Sequence, residues 1–155
     1  MIGAAALVAA LAPAAGFGSE PIRIGFPIPL SGPASIYGEP ILQGAEMAVK
    51  EINDKGGVLG RKLELLSRDS KANADEAVRL SREMIIKDSV DFLVGTLTSA
   101  EAPAVSTVAK ENKIVFIAPT SKSILTDPAH IHPYIFRVSS NADVEGLAGA
   151  TLMAR

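Results

Sequence analysis

Two apolar runs, "FLVG" at residues 92–95 and "IVFIA" at 114–118, flank the pattern "EAPAVSTVAKEN" at 101–112. Neither run alternates apolar with polar residues. A strand wetted on one face shows that alternation, and a strand covered on both faces does not. Between the runs, Ala104, Val105, Val108 and Ala109 recur at helical spacing. Strand, helix and strand in this order make a parallel crossover, because parallel neighbours need a long connection.

The same alternation extends along the chain. "IRIGFPIPL" (22–30) predicts a first strand. "EPILQGAEMAVKEINDKGG" (39–57) predicts a helix with Ile41, Leu42, Ala45, Ala48, Val49 and Ile52 on its inner face, Pro40 in its first turn and Gly56 at its stop. "KLELLS" (62–67) follows as a strand and "NADEAVRLSREMIIKD" (73–88) as a helix. Asn73 stands at its N-cap with Glu76 three residues on, a capping-box pattern. "VDFLVG" (90–95), "KIVFIAP" (113–119) and "YIFRVS" (134–139) complete the strands, and "NADVEGLAGATLMAR" (141–155) reads as a fourth helix. The expected class is α/β: an open parallel sheet with helices on both faces. In strand order 2-1-3-4-5, the ligand crevice lies beyond the carboxyl ends of strands one and three.

The loops that reach that crevice are rich in hydroxyls. After strand one come Ser31, Ser35 and Tyr37; after strand three, Thr96, Thr98 and Ser99; after strand four, Thr120, Ser121 and Ser123. Ser99 sits where a helix begins. There it reads either as a plain N-cap or as part of an anion site, where a hydroxyl and free backbone N–H groups meet the positive end of the helix. Tyr37 reads either as a core-edge residue or as an aromatic wall over the crevice.

Composition removes other function classes. The net charge is −2 with acids and bases interspersed, so neither nucleic acid nor an anionic membrane is an expected partner. Cysteine is absent, which removes thiolate metal sites and thiol nucleophiles. No G-x-G-x-x-G, P-loop lysine or G-x-S-x-G pattern is present, so no cofactor and no enzymatic activity is expected. "GGVLGRK" (56–62) is a helix stop and turn, and His130 and His132 read as an exposed loop pair without a third metal ligand. Asp69 and Asp91 read as turn and cap residues. Residues 1–19, "MIGAAALVAALAPAAGFGS", carry no charged side chain; an apolar run and a small-residue zone predict a secretory signal peptide, with a plain leader as the other reading.

The segment "IRIGFPIPLSGPASIYGEPILQGAEMAVKEINDKGGVLGRKLELLSRDS" carries S-G-P, Y-G, G-A-x-x-A and I-N-x-K-G-G-x-x-G-x-K-L in series. It resembles the opening of the periplasmic branched-chain amino-acid (leucine/isoleucine/valine) binding proteins, the type I solute-binding proteins of ABC importers. "FLVGTLTSAEAPAVSTVAKENKIVFIAPTSKSILT" resembles the next segment of that family. The resemblance implies a non-enzymatic, periplasmic, two-lobed clamp that closes on a small carboxylate-bearing solute, such as a branched-chain amino acid, and delivers it to a membrane permease. It places the solute carboxylate at Thr98 and Ser99, the ammonium near Thr120, Ser121 and Ser123, and the side-chain wall at Tyr37. Lys122 departs from it, standing where the amino-acid binders have a threonine. A lysine there opposes an ammonium and favours a further carboxylate or a ligand without an amine. Family members are much longer, so residues 20–155 are expected to form a truncated first lobe. A ligand-sensing domain of a receptor or regulator, built on the same lobes, is the alternative.

Overall fold

The computed structural model describes residues 20–120, 125, 127–140 and 142–154. Its elements are β1 (Ile22–Ile28), α1 (Ser35–Asp54), β2 (Leu63–Asp69), α2 (Ala74–Ile86), β3 (Phe92–Val94), α3 (Glu101–Asn112), β4 (Val115–Ala118), β5 (Ile135–Arg137) and α4 (Ala142–Met153). The strands form one sheet in the order β2-β1-β3-β4-β5, and every pairing is parallel. Phe92, Leu93 and Val94 pair with Val115, Phe116 and Ile117, which sets the register at the centre. The expected architecture and strand order are those observed.

α2 and α3 pack together on one face of the sheet. Leu93 and Phe116 point into that layer and are buried with Ala77, Met84, Ala102, Val105 and Ala109. α2 is capped as its spacing predicts, with Asn73 Oδ1 accepting the Glu76 N–H at 2.9 Å. Only half of the expected box forms, because the Glu76 carboxylate turns instead to Arg79 at 2.8 Å.

The other face is less covered than the unalternated runs suggest. α1 lies over β2, while Phe92, Val94, Val115 and Ile117 on that face are only half-buried and Phe136 is exposed. The predicted inner face of α1 is also partly open: Leu42, Ala45 and Val49 are half-buried, but Ile41, Ala48 and Ile52 are exposed. α4 buries none of its residues.

α1 begins earlier than its pattern indicates, at Ser35, which leaves Pro40 inside the helix rather than in its first turn. Two contacts explain the earlier start. The N–H groups of Tyr37 and Gly38 both reach the Ala34 carbonyl at 3.1 Å. Gly38 is also pressed onto the end of β1, so that a Cβ there would stand 1.7 Å from the Pro29 carbonyl oxygen. Only a residue without a side chain allows the first turn of α1 to lie on that strand. Gly38→Ala is therefore expected to lower stability by about 2–3 kcal/mol through enforced backbone displacement. Chemical denaturation measures this, and an unchanged midpoint would refute it.

Candidate functional site

β1 has β2 on one side and β3 on the other, so the crossovers that leave these strands go in opposite directions. That reversal opens a crevice at the carboxyl ends of β1 and β3. Because all strands are parallel, the loops after β1, β3 and β4 emerge at that one edge.

Asp69, the last residue of β2, organises the loop after β1. Its Oδ1 accepts the N–H of Leu30 at 2.8 Å and that of Lys71 at 2.9 Å. Desolvation raises the pKa of this carboxyl, but hydrogen bonds from the Ser31 hydroxyl and from the N–H groups of Leu30, Lys71 and Ser31 outweigh it. The net shift is downward. A carboxyl depressed in the fold contributes stability that is present above its unfolded value, near 3.8, and is lost as pH falls through the folded value. Asp69→Asn is expected to remove that part of the acid dependence and to loosen residues 30–34. Urea melts between pH 2 and pH 6 measure it, and parallel curves for the two proteins would refute the assignment. Asp69 thus serves as the turn residue that its position suggests.

The loop after β3 is held more tightly. The Thr96 N–H donates to the Pro27 carbonyl at 2.9 Å, tying the ends of β3 and β1 together. Thr96 is buried at φ +66°, a left-handed conformation that a β-branched residue rarely adopts. Its hydroxyl has no partner among the described residues. Backbone strain of this kind persists only where the surroundings enforce it.

Glu101 holds the two residues that follow Thr96, and it is 0 % exposed. Its Oε2 accepts the Thr98 N–H at 2.8 Å and the Leu97 N–H at 3.3 Å. In return Thr98 Oγ1 accepts the Glu101 N–H at 3.2 Å. This is a reciprocal capping box. Two N–H groups that the start of α3 would otherwise offer to an external anion are therefore taken by the chain's own carboxylate. The N–H groups of Ser99 and Ala100 and the Ser99 hydroxyl have no partner among the described residues. Glu101 Oε1 also lacks one.

The expected site residues divide as follows. Tyr37 lies in the first turn of α1 at the carboxyl edge and is 61 % exposed, so it is not a core residue. Thr98 is half-buried and caps α3, while Ser99 is exposed beside it. Thr120 is buried two residues beyond β4, at the same edge. Ser121, Lys122, Ser123 and the expected signal peptide, residues 1–19, lie outside the described residues. The capping expected of Ser99 is done by its neighbour Thr98. Glu101 was not anticipated, although T-x-x-E at 98–101 is the same spacing as N-x-x-E at 73–76.

His132 is a correction to the exposed loop pair: it is buried, with Nε2 2.9 Å from Ser106 Oγ. This is not a nucleophile and its base. The Tyr134 N–H donates to Nδ1 at 3.2 Å, so the neutral ring carries its proton on Nε2 and donates it to Ser106. Desolvation, and then the Lys110 charge, hold its pKa below the usual imidazole range against a raising contribution from Ser106.

A five-stranded parallel sheet of this order, with helices on its faces, is the fold of one lobe of a type I periplasmic binding protein. The chain belongs to the periplasmic binding protein family, whose model matches residues 21–155. It is 39 % identical over 117 residues to the Leu/Ile/Val-binding protein BraC3 of Rhizobium johnstonii, a match covering 76 % of this chain and 31 % of that one. The chain thus spans about a third of the length of that relative. The LivJ substrate-binding protein of Streptococcus pneumoniae, solved with isoleucine, superposes with a TM-score of 0.72 at 29 % identity over 79 % of this chain and 34 % of that one. A solute-binding protein of Rhodopseudomonas palustris, solved with 3,4-dihydroxybenzoic acid, superposes with a TM-score of 0.67 at 29 % identity over 77 % and 32 %. The two solved relatives are substrate- or solute-binding proteins of transporters, and BraC3 is a binding protein.

Proposed function

We propose that this chain is the first-lobe part of an exported solute-binding component of an ABC importer. Its solute is a small carboxylate-bearing molecule such as a branched-chain amino acid. The observation that carries this reading is the β3–α3 loop, where Ser99, unpartnered and exposed, stands at the start of a twelve-residue helix beside the β1–β3 crevice. The N–H groups of Ser99 and Ala100 and the hydroxyls of Thr98 and Ser99 supply donors to a carboxylate at the positive end of α3. Tyr37 forms the exposed wall and Thr120 the far side, with Ser121 and Ser123 following it. Isoleucine and dihydroxybenzoic acid, found with the two relatives, both carry a carboxylate, whereas only isoleucine carries an amine, so the carboxylate is the feature assigned to α3. Residues 1–19 act as the signal peptide, and the partner is a membrane permease.

Amide NMR of the chain during titration with isoleucine and with 3,4-dihydroxybenzoate tests the site. Shifts at Thr98, Ser99 and Ala100 are expected with both. Shifts confined to other residues, or none with either acid, would refute it. The alternative of a sensor domain has no specific observation in its favour.

A further inference from the structure

A cavity of about 210 Å³ lies between α3 and the connection from β4 to β5, and none of Tyr37, Thr98, Ser99 and Thr120 lines it. Ser106, Lys110, His130 and His132 contribute its polar wall, and Leu125 and Ala129 part of its apolar wall. It is smaller than pockets that enclose a drug-sized ligand. No carboxylate lines it among the described residues.

The hydrogen bonds around it leave donors without acceptors. Because His132 donates to Ser106 Oγ, the Ser106 hydroxyl hydrogen remains available, and no acceptor for it occurs among the described residues. Lys110 has no ion pair among them either, although its charge is felt at His132. Thr107 donates to the Pro103 carbonyl at 3.1 Å, which leaves its oxygen facing the same wall as an acceptor only. Asp127 is engaged outside the lining, with the Ala129 N–H at 2.8 Å and His130 Nδ1 at 3.5 Å. A metal ion is a poor occupant, because neither nitrogen of His132 keeps a free lone pair.

We propose that this cavity, built on Ser106, Lys110 and His130, is a binding site for a small oxyanion, separate from the solute edge. The Lys110 ammonium and the Ser106 hydroxyl supply charge-assisted and neutral hydrogen bonds to the anion. His130 is exposed at the mouth, with its Nδ1 3.5 Å from Asp127 Oδ1, and lines the entrance. The neutral Nε2–H tautomer of His132 fixes the direction of the Ser106 hydroxyl, so His132 is a positioning residue.

Sulfate is the appropriate probe, because its charge is constant across neutral pH. Titration calorimetry of the chain with sodium sulfate, against chloride of matched ionic strength, is expected to show saturable binding. Amide NMR should place the shifts at Ser106, Lys110 and His130. Lys110→Met is expected to weaken binding by about tenfold or more, since it removes the unpaired cation at an unchanged fold. Ser106→Ala is expected to weaken it by a smaller factor and leave the far-UV circular dichroism unchanged. Absence of saturation in the chloride-matched titration, shifts only at Thr98–Ala100, or equal affinity in Lys110→Met would each overturn the proposal.

Discussion

Glu101→Ala is expected to destabilise the fold by about 2–3 kcal/mol, the combined scale of a lost helix cap and of buried N–H groups left without an acceptor. In a domain of this size that corresponds to a fall in melting temperature of roughly 10 °C. The carboxylate is fully buried and serves the N–H groups of Leu97 and Thr98 at once. Alanine would leave both unserved and break the reciprocal bond geometry that keeps Thr98 Oγ1 on the Glu101 N–H. Glu101→Gln keeps one carbonyl oxygen as an acceptor, so its loss should be clearly smaller. Thermal melts of the three proteins decide the matter. Equal melting temperatures for wild type and Glu101→Ala would show that the loop is held by other contacts. Amide exchange supplies a local reading: Leu97 and Thr98 should lose protection in the alanine variant, while Leu93 in the sheet centre should retain most of it.

The second large effect concerns affinity. The purified chain is expected to bind branched-chain amino acids, dicarboxylates and aromatic acids with millimolar dissociation constants or weaker. High affinity in a clamp comes from enclosure, which excludes water and strengthens each polar contact. The described residues form a single sheet, and its crevice is an open edge. A net hydrogen bond contributes about 1 kcal/mol, and the rigid-body cost of association is at least ~4 kcal/mol. Glu101 reduces the number of contacts further, since it already occupies two of the N–H groups at the start of α3. The four remaining donors, the hydroxyls of Thr98 and Ser99 and the N–H groups of Ser99 and Ala100, therefore do little more than offset the association cost. Isothermal titration measures the outcome, and a micromolar constant would mean that one open edge suffices.

The apolar surface left bare bears on how these measurements are made. Phe136 and Val138 at the β5 edge, and Val144, Leu147 and Leu152 along α4, are exposed. Patches of this kind drive association. Size-exclusion chromatography is expected to show a concentration-dependent shift towards larger species, and a constant monomer elution volume would refute it.

The order of elements, the parallel sheet and the edge on which a ligand would lie are all legible in residues close in sequence. α3 runs from Glu101 to Asn112, as its pattern indicates, because Val105, Val108 and Ala109 supply a buried stripe at helical spacing, with Ala102 buried in place of the expected Ala104, which is only half-buried. Asn73 caps α2 by a bond that spans three residues. Local spacing carries such features, since periodicity and capping are properties of neighbouring residues. The start of α1 was decided elsewhere: the Gly38 contact with Pro29 overrode the signal of Pro40, and only the packed strand end makes that visible. The burial of His132 depends on Ser106, 26 residues earlier in the chain. The incomplete cover over Val94, Val115 and Ile117 depends on which helix crosses to which face, and apolar runs alone do not report it. Glu101 belongs to both levels. Its T-x-x-E spacing with Thr98 is written in the sequence, but its complete burial, and so its hold on the N–H groups at the crevice, arises only when β1, β3 and α3 close around the loop.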